Sequence, residues 1–183
     1  LTDAQAHRQG ADVPEEPKDE PPRDDPPLVG EARRRDQELV QIREATLGAF
    51  VGDRVAITGG PRTGKTTMSK LFESRGYVVK HTDDLIADFD WSAASEQASR
   101  WFDAPGQICV EGVAVPRALR KFLARSNAKP IDRLLILDGA MVPQTAHQRL
   151  MTQGIETVLR EIIPKLKARG VNVIRLPKGV RDA

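Results

Sequence analysis

Eight consecutive residues, Gly59-Gly60-Pro61-Arg62-Thr63-Gly64-Lys65-Thr66, satisfy the pattern G-x-x-x-x-G-K-[ST] at every fixed position. The chemistry open to such a run is the binding of a polyphosphate. Glycines let successive backbone N–H groups turn inward around anionic oxygens, the Lys65 ammonium can reach the β- and γ-phosphates of a nucleoside triphosphate, and the Thr66 hydroxyl can ligate Mg²⁺. Gly59 to Thr66, with Thr67 beside them, are therefore the candidate residues for ATP, and Thr66 is the first candidate for the metal.

A second set of residues could act on an acceptor. Asp83 and Asp84 follow the apolar run Tyr77-Val78-Val79-Lys80-His81, and Glu111 and Asp138 close two further runs. Asp83 is placed to orient and deprotonate an acceptor hydroxyl; Asp84 either shares that work or caps the following turn. Glu111 either holds Mg²⁺ through water or pairs with a helix arginine. Asp138 reads as the end of its strand. Arg117, Arg120, Lys121 and Arg125 share one helix face, of which Arg117 is nearest the candidate site; they either meet a phosphate on the acceptor or solvate the helix. Trp91 and Trp101 either stack on a base or pack in the core. Arg149 is either a cation closing over the transition state or a surface arginine. His81 and His147 have no partner spacing that signals metal binding or nucleophilic catalysis.

Positioning these groups takes strands and helices in alternation. Arg54–Thr58, Tyr77–His81, Gln107–Glu111, Arg133–Leu137 and Val171–Leu176 are short apolar strand runs. Between them lie helical segments: about Lys65 to Gly76; about Ser92 to Phe102, closed by Pro105-Gly106; Arg117 to Arg125 behind Pro116; and Ile155 to Ala168, with Pro164 as a kink. Residues 139–154 read as a looser connection. Right-handed crossovers then predict an α/β fold with a parallel sheet covered on both faces, whose ligands gather at the carboxyl edge of the strands. That edge carries the glycine-rich loop, Asp83, Asp84, Glu111 and Asp138.

The 183 residues have room for one such domain, over 51–183, and little more. Residues 1–27 hold eight Asp/Glu, three Lys/Arg and six Pro, a net charge of −5, so the remainder carries +7 of the total of +2. Such a segment is too polar to offset its ordering entropy, and residues 1–30 read as a disordered tail. Residues 31–50 read as a helix with an apolar stripe of Leu39, Val40, Ile42 and Leu47, and with Arg33-Arg34-Arg35 near its start. The positive body suits phosphate-bearing partners or simple solubility. One cysteine, Cys109, excludes an internal disulfide framework and reads as a small core residue. With no apolar run near the ~20 residues of a membrane helix and no signal-peptide core, the expectation is a cytoplasmic protein that does not engage a membrane.

Taken together, these residues make the chain resemble the P-loop kinases of the adenylate-kinase and shikimate-kinase type, in particular small kinases of bacteriophages. Gly59 to Thr66 matches the donor loop; His81-Thr82-Asp83-Asp84-Leu85 is similar to the acidic element with which polynucleotide 5′-hydroxyl kinases activate an acceptor; Val110-Glu111-Gly112 fits the acidic end of the third strand. The resemblance covers about residues 53–176. It implies a three-layer P-loop NTPase fold with sheet order 2-3-1-4-5, Glu111 near Lys65, and Asp83 as general base. It further implies transfer of the γ-phosphoryl of ATP, with Mg²⁺, to a hydroxyl or phosphate of a nucleoside, a nucleotide or DNA carrying a modified base. The chain departs from these kinases in its lid, where 139–154 offers only Arg149, with Arg160 beyond. Two other readings of the same loop are an ATPase coupled to a protein or nucleic-acid partner and a non-catalytic nucleotide-binding module.

Overall fold

A computed structural model of the chain describes residues 54–177. The tail expected over 1–30 and the helix expected over 31–50 lie outside them. Five strands, β1 (Val55–Gly59), β2 (Val78–His81), β3 (Ile108–Glu111), β4 (Arg133–Leu137) and β5 (Asn172–Leu176), form one all-parallel sheet in the order β2-β3-β1-β4-β5. The helices are α1 (Lys65–Glu73), α2 (Thr82–Asp88), α3 (Trp91–Arg100), α4 (Val115–Arg125) and α5 (Ala146–Ala168), with a 3₁₀ turn at Trp101–Asp103.

The central strands are apolar over most of their length because both of their faces are covered. All five residues of β1 are buried. Successive side chains alternate between two cores. Ala56, Val110, Leu134 and Ile136 pack with Ala98 of α3, Leu119 and Phe122 of α4, and Leu159 and Ile162 of α5. Val55, Ile57, Cys109, Leu135 and Leu137 pack with Met68 and Phe72 of α1 and with Tyr77. Phe72 and Tyr77 meet edge to face, 5.2 Å between ring centres. Burial pushes the Cys109 thiol well above its ordinary range, and the neighbouring charge of Glu111 adds to the effect.

Register decides where the strands end. Ile57 lies level with Glu111, His81 with Glu111, and Gly59 with Leu137, so the carboxyl ends of β1 to β4 form one rim. Three elements differ from the sequence reading. Residues 82–88, including Asp83 and Asp84, are helical, because two carboxylates in a first turn complement the helix dipole. Strand β2 begins at Val78, with Tyr77 turned into the core instead. The largest difference is α5, which starts at Ala146 rather than Ile155, so that most of the segment expected to be loose is helix. Its signal is the Thr145-x-x-Gln148 capping box: Thr145 Oγ1 accepts from the Gln148 N–H at 3.2 Å, and Gln148 Oε1 accepts from the Thr145 N–H at 3.0 Å. Pro164 lies within α5 without ending it. Among the described residues no helix is long and apolar enough to cross a membrane.

Candidate active site

The chain leaves β1 through a turn only glycine permits. Gly59 has φ +154°, and a Cβ there would lie 2.5 Å from the Leu137 carbonyl oxygen and 2.9 Å from Thr63 Oγ1. Gly64 (φ +83°) precedes α1, and Arg62 (φ +63°) is the one non-glycine residue with positive φ among the described residues. Positive φ occurs at three of six positions, 59, 62 and 64, the kind of backbone in which successive N–H groups can form an anion-binding concavity; no side chain caps the start of α1, so its first N–H groups are left without a side-chain acceptor.

The loop's carbonyls are occupied by protein donors. Gly60 O accepts from Thr63 Oγ1 at 3.0 Å and from Lys65 Nζ at 2.9 Å. Arg62 O accepts from the Met141 N–H at 2.8 Å, and Pro61 O accepts from Gln144 Nε2 at 2.6 Å. The same Gln144 amide donates to Thr152 Oγ1 at 3.3 Å, and Thr152 lies so close to Gly60 that a Cβ on Gly60 would collide with it. Residues 139–145 and the first turns of α5 thus brace the loop.

Glu111, at the end of β3, is 2 % exposed. Its Oε1 accepts from Thr66 Oγ1 at 3.1 Å and lies 2.6 Å from His81 Nδ1, while Oε2 is buried without a hydrogen-bond partner. A buried carboxylate oxygen left unpaired costs ~1–3 kcal/mol or more, and here it adjoins a hydroxyl at a helix start. This pair of hard oxygen donors fits Mg²⁺. Among the described residues no three His, Cys, Asp or Glu side chains cluster as a metal cage, and Mg²⁺ characteristically takes most of its ligands from phosphate and water.

Asp83 is exposed and lines a cavity of about 750 Å³ together with loop residues 61–67, Trp91, Val113, His147 and Met151. Gly112 (φ +136°) permits this approach: a Cβ there would collide with the Thr82 side chain and lie 3.2 Å from Asp83 Oδ1. The β3–α4 turn is fixed in turn by Gly112 N–H to Ile57 O at 3.2 Å and Ala114 N–H to Thr82 Oγ1 at 3.4 Å.

The remaining sequence candidates separate into two groups. Trp91 borders the cavity, and the Arg117 guanidinium lies 5.5 Å from its ring centre. Both border a second recess of about 210 Å³, which shares Trp91, Val113, His147 and Met151 with the first. Asp84, Trp101 and Arg149 line neither space. Asp84 is exposed in the first turn of α2; Trp101 packs against the core, its ring 5.2 Å from Lys80 Nζ; Arg149 Nη1 donates to the Gln144 carbonyl at 2.7 Å, on the brace. Beyond Arg117, the basic face of α4 is spent on ion pairs: Arg120 with Glu161 (3.4 Å), Lys121 with Glu96 (3.3 Å) and Arg125 with Asp103 (2.6 Å). The Arg125 hydrogen bond holds the Asp103 carboxyl below its ordinary value. Asp138 pairs with Arg175 at 2.7 Å.

Residues the sequence reading passed over are His81, which contacts Glu111, and His147, Gln148 and Met151, which line the cavity. The last three follow from the capping box. Once α5 begins at Ala146, residues 147, 151, 154 and 155 share one face. A scan of the chain against protein-family models finds no match, and a search of curated proteins finds none.

Proposed function

We propose that the chain is a P-loop kinase that binds MgATP on the Gly59–Thr66 loop and passes the γ-phosphoryl group to a hydroxyl of an acceptor seated beside Asp83. The observation that carries this reading is the loop itself: positive φ at residues 59, 62 and 64, between a buried strand and a helix start, facing a cavity on whose wall stands a carboxylate. The parallel sheet of order 2-3-1-4-5 supports the P-loop NTPase assignment.

Phosphoryl transfer is largely a matter of positioning and charge stabilisation. The inward N–H groups of the loop and the α1 terminus would hold the donor's phosphate oxygens, and Lys65 would exchange its Gly60 carbonyl for them. Thr66 and, through water, Glu111 would hold Mg²⁺, whose charge offsets that of the phosphate oxygens. His81 and Thr66 both contact Glu111 Oε1 and so fix the carboxylate. Asp83 orients the acceptor hydroxyl and takes its proton as the hydroxyl oxygen bonds to the γ-phosphorus; the bond to the bridging oxygen breaks with its electron pair, and ADP leaves. Pairing of the α4 arginines within the protein favours a small acceptor over a nucleic-acid strand, since those charges already have partners.

The reading is tested by incubating the protein with γ-labelled ATP, Mg²⁺ and a panel of nucleosides, nucleotides, sugars and DNA. Label should move to one acceptor class and stay with ATP for Asp83→Asn. ATP consumption indifferent to every acceptor, yet raised by a protein or DNA partner, would replace the kinase by an ATPase.

A further inference from the structure

We infer that the recess of about 210 Å³ between α3, α4 and α5 is an acceptor subsite for a single planar ring that carries a hydroxyl-bearing arm and no phosphate. This rests on the kinase reading, which supplies the donor loop and Asp83. Size sets the first limit. Pockets for drug-sized ligands run to about 300–1,000 Å³, so this one admits a ring rather than a whole nucleotide.

Lining chemistry sets the second. Val113, Pro116, Leu150, Met151 and Ile155 make the walls apolar, and Trp91 offers an aromatic surface. A polyol would leave hydroxyls unpaired against those walls, each costing ~1–3 kcal/mol. A phosphate would find one permanent cation, Arg117, already over the Trp91 ring at 5.5 Å, and beside it only the His147 imidazole, whereas phosphate sites converge several charged donors. A planar ring loses nothing to the walls, stacks on Trp91, and can accept one hydrogen bond from Arg117 through a ring carbonyl. The recess adjoins the larger cavity, since Trp91, Val113, His147 and Met151 border both spaces, and an arm leaving the recess on that side would face Asp83.

Gly154 makes the recess testable. It lies on the same face of α5 and lines the recess, and a Cβ there would meet nothing within 4 Å. A larger side chain at 154 therefore has open space at the border of the recess to occupy without displacing protein atoms, and it raises helix propensity rather than lowers it.

The experiment uses the full chain, with Trp101→Phe so that Trp91 is the one remaining tryptophan of two, and reads Trp91 fluorescence alongside transfer from labelled ATP. Probes are 3-pyridinemethanol and thymidine as free ring alcohols, oligothymidylate as the same ring on a strand, and glucose and AMP as the excluded classes. Ring probes should quench Trp91 saturably. Gly154→Leu should raise their half-saturation at least about tenfold, the scale of a filled or emptied methylene site, while MgATP affinity stays unchanged; Gly154→Ala should fall between. Quenching by thymidine marks a free, phosphate-free ring as the ligand, and quenching by oligothymidylate alone overturns it in favour of a strand. Equal response to glucose or AMP, or indifference of the ring probes to Gly154→Leu, overturns the subsite. Absence of MgATP binding, with ring quenching intact, would instead fault the kinase reading.

Discussion

Replacing Gln144 by Ala removes the side chain that ties the glycine-rich loop to α5. Its amide donates to Pro61 O at 2.6 Å, on the loop, and to Thr152 Oγ1 at 3.3 Å, on α5. A net intramolecular hydrogen bond contributes about 0.5–1.5 kcal/mol; we assign about 1 to the short contact and about 0.5 to the long one. Gln144 is half-buried, so water can partly replace the lost donor and the sum of about 1.5 kcal/mol is an upper value. If that energy holds the loop in the conformation that binds phosphate, its loss raises the dissociation constant by up to about tenfold, at 1.4 kcal/mol per decade. Calorimetric titration of wild type and Gln144→Ala with MgATP and with tripolyphosphate reads this directly. Both ligands should weaken by a similar factor, about three- to tenfold, because the brace acts on the phosphate loop and not on a base. A fall in melting temperature with unchanged affinity for both would refute the reasoning and reduce Gln144 to a staple for α5.

Asp83→Asn should leave MgATP affinity near wild type and slow transfer by about 10²–10⁴-fold, as for a general base; equal loss of affinity, read by titration, would mark Asp83 as structural. For Glu111→Gln, the Mg²⁺ concentration giving half-maximal ATP binding should rise by about 10–100-fold, the usual cost of losing a group that orients bound metal, with less change in binding measured without metal. Cys109 should resist a thiol reagent in the folded protein and react only as fast as the chain opens, since it is wholly buried. Its pKa is raised by folding, so stability from this group is full below the ordinary thiol value of 9.0 and falls as pH climbs beyond it, where the unfolded chain releases the proton and the folded one retains it. Denaturant midpoints between pH 8 and 10 check that slope.

Much of this architecture is written locally. Runs such as Val55-Ala56-Ile57 and Leu134-Leu135-Ile136 are apolar at every position, which a strand covered on both faces requires, and their five-fold recurrence between helical segments gives a parallel sheet. The loop is legible because each fixed residue does one physical job; Gly59 and Gly64 both adopt positive φ. What resisted reading depends on contacts distant in sequence. Arg149 reads in the sequence as either a lid cation or a surface arginine, and nothing local announces that its guanidinium donates to Gln144 O. The basic face of α4 reads as either a phosphate contact or a solvated face, and its ion pairs are seen only once Glu161, Glu96 and Asp103 arrive from other elements. Trp91 and Trp101 are ten residues apart and look equivalent, yet one borders the cavity and the other packs against the core. His147 and Met151 were hidden for a different reason: Gly154 interrupts the pattern of α5, and the start of that helix is announced only by Thr145 and Gln148.

The most direct measurement is calorimetric titration of the wild-type chain and of Lys65→Ala with ATP in the presence of Mg²⁺. Saturable one-to-one binding by the wild type, and its loss in a folded Lys65→Ala, is the expected result. Failure of the wild type to bind any polyphosphate, or binding that survives the loss of Lys65 undiminished, would contradict the assignment of residues 59–66 as the donor site.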